Sequence, residues 1–202
     1  MKNRIKKHVK CGIVILAAGA SRRLGEPKQL LSYRGKTLIS TAVETAMATG
    51  LEPLIVVLGA QIDSLISELE PYDLKIVVNE HWREGMSSSL RIGLEAAMME
   101  GEMEAIIFMV CDQPFVTPEL LLELLERTSD ESKLCVASKY GEVRGTPALF
   151  RKQLFPALFT LKGDAGARKL MEQYETQVDL VDFPLGIIDI DTKNDSETFL
   201  KE

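Results

Sequence analysis

Apolar runs and amphipathic stretches alternate along this chain. Ile13, Val14, Ile15 and Leu16 form an unbroken apolar run rich in β-branched side chains, the pattern of a strand buried on both faces. The pattern returns at residues 54–58 and 106–110, and residues 74–78 offer a further strand ending at Asn79. Between these runs the period becomes helical. Residues 37–49 place Leu38, Ala42, Val43, Ala46 and Met47 at helical spacing, and Gly50 is placed to end that helix. Residues 62–69 put Ile62, Leu65, Ile66 and Leu69 on one face, and residues 86–99 read as a helix opening in Ser87, Ser88 and Ser89. Thr117 followed by Pro118 predicts a capped helix start running through Leu125.

Strand and helix alternating over short connections predict an α/β fold in three layers, α/β/α, with a mostly parallel sheet covered on both faces. The second half is less regular. It offers strands at residues 134–138, 178–182 and 187–190, and a turn at Arg144-Gly-Thr-Pro147 leading into Ala148, Leu149 and Phe150. It also offers a Gly-rich helix start at residues 163–168 reaching about Gln173, and a helical end at residues 196–202. No repeat or long linker interrupts it. The expected organisation is a basic arm over residues 1–8 and one domain over residues 9–202.

In such sheets ligands sit at the carboxyl ends of strands. The segments after the first, third and fourth strands, residues 19–28, 79–89 and 112–114, should therefore line one edge. The first holds Gly19, Ala20 and Ser21, then Arg22, Arg23 and Lys28: small residues that let backbone N–H groups reach an anion, followed by cations. Together they read as a polyphosphate site. The spacing fits neither a P-loop, since Gly25 is followed by Glu26, nor the dinucleotide fingerprint, since Gly19 is followed two positions on by Ser21.

Composition narrows the chemistry. The 202 residues carry a formal net charge of −6, which argues against a general nucleic-acid binder, and no apolar run is long enough to span a membrane. Cys11, Cys111 and Cys135 each lie in an apolar stretch and read as buried thiols of a reducing cytoplasm, not a zinc site.

Asp112 directly follows a buried strand and suits a hard divalent cation beside phosphates, although the same residue could serve only as a turn aspartate before the Thr117 helix. Lys28 and Arg23 suit charge developing at an α-phosphorus and on a leaving pyrophosphate; Arg22 reads as solvated. Asn79, Gly85 and Ser89 would meet the nucleoside, with Leu16, Ala17 and Ala18 under the base. His81 reads as structural or exposed.

The motifs LAAGASRRLGEPKQLL, NEHWREGMSSSL, CDQP, RGTPALF, GDAGAR and DIDTKND, in that order from about Gly12 to Asp195, resemble the molybdenum cofactor cytidylyltransferase family. The resemblance implies a Rossmann-like fold of the nucleotide-diphospho-sugar transferase type. It implies transfer of CMP from CTP to the phosphate of molybdopterin, with Mg2+ and release of pyrophosphate, and a molybdenum hydroxylase as client. It places a second metal carboxylate at Asp191, with Asp189 the alternative. It also places the acceptor at Gly145 and Pro147 and at Gly163, Asp164 and Gly166. Leu-Ala-Ala-Gly resembles the cytidylyl branch, guanylyl relatives favouring Leu-Ala-Gly-Gly. Guanylyl transfer, a sugar or alditol phosphate acceptor, and a non-catalytic molybdopterin carrier remain as alternatives.

Overall fold

The computed structural model describes residues 9–200. The expected basic arm at residues 1–8 lies outside them. The chain runs β1 (Cys11–Ala17), β2 (Ser32–Tyr33), β3 (Lys36–Thr37), α1 (Leu38–Met47), β4 (Leu54–Leu58), α2 (Ile62–Leu69), β5 (Lys75–Val78), α3 (Met86–Met99) and β6 (Ala105–Val110). It continues through α4 (Pro118–Glu126), β7 (Cys135–Tyr140), β8 (Val143–Arg151), α5 (Phe155–Phe159), α6 (Arg168–Gln173), β9 (Val178–Asp182) and α7 (Lys193–Phe199).

Seven strands form one sheet in the order β5-β4-β1-β6-β8-β7-β9, and β2 and β3 pair apart from it. β5, β4, β1 and β6 are parallel neighbours; β8 alone runs against them, pairing antiparallel with both β6 and β7. Along β1 every residue is buried. Ile13, Ile15 and Ala17 pack into the core on one face, and Val14 and Leu16 into the core on the other. That two-sided burial is why the run shows no polar alternation. α3 lies directly on this strand: a Cβ at Gly93 would stand 2.4 Å from Val14, so glycine permits the approach.

Local signals act where the sequence places them. The Thr37 hydroxyl accepts from the Ser40 N–H at the start of α1, and the Thr117 hydroxyl accepts from the Leu120 N–H before α4. Two expectations are corrected. Arg144 to Pro147 is not a turn but part of β8, whose pairing with β7 shifts register between Ala137 and Ser138. Residues 187–190 are not a strand. Pro184 starts a short 3-10 turn there, and the Ile190 N–H donates to the Asp112 carbonyl at 3.0 Å instead of entering a ladder.

Candidate active site

The end of β1 opens into a loop folded around one buried side chain. Gln29 is almost fully buried, and its amide donates to the carbonyls of Ala17 and Gly19, both at 2.9 Å. Its oxygen accepts from the Ser21 hydroxyl at 3.3 Å, while the Lys28 N–H donates to that hydroxyl at 3.0 Å. The loop is thereby closed on itself, with Gly19 and Ala20 at the rim of a cleft of about 440 Å³.

That cleft gathers the segments that follow β1, β5 and β6. Of the residues expected at the site, Leu16, Ala17, Ala18, Gly19, Ser21, Arg23, Lys28, Gly85, Ser89, Asp112, Asp164 and Asp191 line it. Arg22, expected to be solvated, lines it as well and is exposed. Asn79 does not line it. Its side chain is fully buried and donates to the hydroxyls of Ser88 at 2.7 Å and Ser89 at 2.9 Å, holding the start of α3. His81 is exposed, 3.7 Å from Glu84.

Of the acceptor residues expected from the resemblance, Gly145 and Pro147 lie inside β8 and away from the cleft lining. A side chain at Gly145 would run into the Tyr140 hydroxyl, and the Pro147 carbonyl accepts from Ser138 at 2.7 Å. Gly163 abuts Gly85 and Gly166 abuts Met86, so this loop closes against the segment after β5. Gly85 sits at φ +103, a conformation that favours glycine, and a Cβ there would be 2.5 Å from both Gly163 and Asp164.

At the centre of the charged side stands Lys28. Its ammonium donates to Asp112 Oδ2 and, at 2.9 Å, to Asp191 Oδ1, while Arg23 donates to Asp191 Oδ2 at 2.5 Å. Burial lowers the affinity of Lys28 for its proton, but the charge of Asp112 and the bonds to Asp112 and Asp191 together outweigh it and the net shift is upward. Burial raises Asp191 in turn, and the bonds and charges of Lys28 and Arg23 reverse that, leaving its carboxyl below the ordinary range. Asp189 keeps an exposed face but is backed by protein. This desolvation, with the charges of Asp112 and Asp191, pushes it up to about 6. Asp191 caps no helix; the Thr192 hydroxyl and the Asp195 carboxylate cap α7.

Asp112 Oδ1 is buried and has no hydrogen-bond partner. A buried carboxylate oxygen left without a donor suits a hard cation, and a second carboxylate stands across Lys28. Asp112 and Asp191 therefore fit a divalent cation of the magnesium type, completed by oxygens from outside the chain. Among the described residues no cluster of three or more acidic, histidine or cysteine side chains forms a self-sufficient metal cage.

Gln113, which follows Asp112 in the sequence and is expected to hold it, acts through its side chain. Its amide donates to the Gly186 carbonyl at 2.9 Å and its oxygen accepts from the Thr146 hydroxyl at 3.1 Å. With the Ile190–Asp112 backbone bond it ties the segment carrying Asp191 to the end of the strand carrying Asp112. The three cysteines are free and buried. Burial pushes the thiols of Cys11 and Cys111 up to about 12 and that of Cys135 upward as well, so all three are neutral and unreactive.

The family model described as MobA-like NTP transferase domain matches residues 13–178. The chain belongs to the MobA-like NTP transferase family. Nicotine blue oxidoreductase of Paenarthrobacter nicotinovorans is 39% identical over 84% of this chain and 85% of its own length. Purine catabolism protein PucB of Bacillus subtilis is 30% identical over 79% of each chain. A probable molybdenum cofactor guanylyltransferase of a Geobacillus species is 25% identical over 69% of each. Among solved structures, Rv0371c of Mycobacterium tuberculosis superposes with a TM-score of 0.82 at 29% identity, over 96% of this chain and 99% of that one. A manganese complex of Rv0371C gives a TM-score of 0.77 at 27% identity, over 95% and 98%. This MobA-like chain is a nucleotidyltransferase by family, with the Rossmann-like NTP transferase fold. Among its described residues no helix is long and apolar enough to cross a membrane.

Proposed function

We propose that this MobA-like enzyme transfers CMP from CTP to the terminal phosphate of a molybdopterin-type acceptor and releases pyrophosphate. One observation carries the reading: Lys28 stands between Asp112 and Asp191 at the mouth of a small-residue loop, and one oxygen of Asp112 is left without a donor. An attacking phosphate oxygen forms a bond to the α-phosphorus of CTP as the bond to the β-phosphate oxygen breaks. Negative charge grows on the α-phosphate oxygens and on the leaving pyrophosphate. Lys28, already fixed by two carboxylates, offers a positive charge that needs no reorganisation as this happens. Arg23 and Arg22 reach the same cleft from the loop, and a guanidinium suits phosphate contact in a fork. Asp112 and Asp191 would hold Mg2+, which neutralises phosphate charge and orients the phosphates when bound. The acceptor phosphate is ionised near neutral pH and needs no general base. An activated product of this kind would pass to a molybdenum hydroxylase client in the cytoplasm.

Cytidylyl choice rests on Ala17 and Ala18, which lie under the cleft where a glycine would leave more room. The relative named as a guanylyltransferase favours guanylyl transfer as the second reading, and the relative named as an oxidoreductase favours a redox reaction. The protein should be incubated with magnesium, molybdopterin and each nucleoside triphosphate in turn, and its products weighed by mass spectrometry. A cytidine dinucleotide of molybdopterin supports the reading. A guanosine product moves it to the second, and consumption of a nicotinamide cofactor without nucleotide product moves it to the third.

A further inference from the structure

The cleft has two chemically different ends, and strand order sets them apart. Asp112 follows β6, on one side of β1, whereas Trp82 and Arg83 follow β5, beyond β4 on the other side. Lys28, Asp112 and Asp191 concentrate charge on the β6 side. The β5 side is lined by Trp82, Arg83, Gly85, Met86 and Ser89, with the Asp164 carboxylate against Gly85.

Trp82 is held in place. It is half-buried and packs against the core that contains Leu16 and Ala18. A side chain at Gly59 would collide with the Cβ atoms of both Ala18 and Trp82, so the stem of Trp82 is seated close to the loop after β1. Its backbone N–H donates to the Asn79 carbonyl at 3.3 Å, and its carbonyl accepts from the Gly85 N–H at 3.2 Å. The Arg83 guanidinium carbon lies 4.4 Å from the Trp82 ring centroid, within cation–π range. A rigid aromatic with a guanidinium laid on it offers a planar, amphipathic surface and N–H donors at its edge. Such a surface suits a heterocyclic base with carbonyl oxygens, not a chain of phosphates.

We propose that Trp82 and Arg83 form the base-side wall of the nucleotide cleft and supply affinity for the heterocycle of the nucleoside triphosphate, the triphosphate itself being held at the Lys28 end. This rests on the nucleotidyltransferase reading. Trp82 is the only tryptophan in the sequence, so intrinsic tryptophan emission reports on this wall alone.

The full chain should be titrated with CTP and, separately, with inorganic triphosphate, magnesium being present throughout, by fluorescence and by calorimetry. CTP should change the Trp82 emission, and inorganic triphosphate should bind without changing it. Trp82→Ala should weaken CTP by roughly 5- to 150-fold, the range that base–aromatic stacking supplies, and leave inorganic triphosphate unchanged. Trp82→Phe should keep most of the affinity. Arg83→Ala, which removes an exposed side chain, serves if Trp82→Ala does not fold, and should weaken CTP severalfold with triphosphate again unchanged. An equal loss of both ligands in either variant would overturn the proposal, as would calorimetric CTP binding with silent tryptophan emission. If the wild type binds inorganic triphosphate but gains nothing from the base, the wall is also overturned while the phosphate site stands. If it binds neither, the nucleotidyltransferase reading fails and this inference with it.

Discussion

Lys28 donates to Asp191 at 2.9 Å across 163 positions of sequence, and the same ammonium donates to Asp112. One lysine from the loop after β1 thus holds together two carboxylates delivered by distant segments.

Removing that lysine should have two separable effects. Lys28→Ala should lower the chemical rate by about a hundredfold or more, with a smaller effect on nucleotide affinity, because a fixed cation counts most where charge develops. It should also cost about 3 kcal/mol of stability in metal-free protein, since the largely buried Asp112 loses its cation. Lys28 is raised in the folded state, so its stabilisation is complete at neutral pH and lost only as pH climbs through the raised value. Thermal melts in chelator and in magnesium check this: the cation should recover part of the loss. An unchanged single-turnover rate with weakened CTP binding would place Lys28 in substrate binding alone.

Asp112→Ala should abolish turnover by at least about a hundredfold while the protein stays folded, because the orphaned oxygen and the Lys28 contact go together. Asp191→Asn should be milder, as an amide oxygen can still meet a cation. Steady-state rates with circular dichroism on each variant provide the check. Full activity in Asp191→Ala would transfer the second-carboxylate role to Asp189.

Asp189 predicts a pH effect of the same direction as that of Lys28, stability falling as pH rises, but in an acidic window instead of an alkaline one. Its carboxyl is pushed up to about 6, so the folded protein holds this proton more tightly than the unfolded chain does. Ionising it therefore costs stability as pH rises from the ordinary aspartate range near 3.9 through about 6. In metal-free protein Asp189→Asn should melt at a higher temperature than wild type at about pH 7.5, and the gain should vanish near about pH 4. Melting curves at the two pH values decide; an equal gain at both would trace the effect to packing, not charge.

Base selection should reside partly in the loop. Size exclusion supplies about 1–3 kcal/mol, so CTP should be preferred over GTP by roughly tenfold or more. Ala18 is buried and presses toward Gly59, and Ala18→Gly should narrow the preference by admitting GTP without necessarily reversing it. The ratio of kcat/KM values in wild type and variant measures this. A ratio that does not move would show that selection lies elsewhere, with the Trp82–Arg83 wall the next place to examine.

The parallel half of the sheet was legible because β1, β4 and β6 are buried on both faces and read as unbroken apolar runs. Their ends could then be aligned along one edge by rule, and the loop after β1, Asp112 and Gly85 do meet there. The antiparallel strand β8 was not legible: Arg144-Gly-Thr-Pro carries turn residues, and only pairing with both β6 and β7 makes it a strand. Residues 187–190 misled in the other direction. Alternating Ile and Asp suggested a strand, but Ile190 spends its N–H on Asp112, outside any ladder. The roles of Gln29 and Gln113 depend on carbonyls brought near by tertiary folding. Asn79 ends a strand, a position that suggests contact with the nucleoside, but its burial beneath Ser88 and Ser89 makes it a residue that shapes the cleft from behind.

The most direct measurement is pyrophosphate release from CTP, magnesium and molybdopterin, comparing wild type with Asp112→Ala. The account predicts release that needs the acceptor, matches the nucleotide product one for one, and falls at least about a hundredfold in the variant. Release that is equal in a folded Asp112→Ala protein, or absent from the wild type with every nucleoside triphosphate, would contradict it.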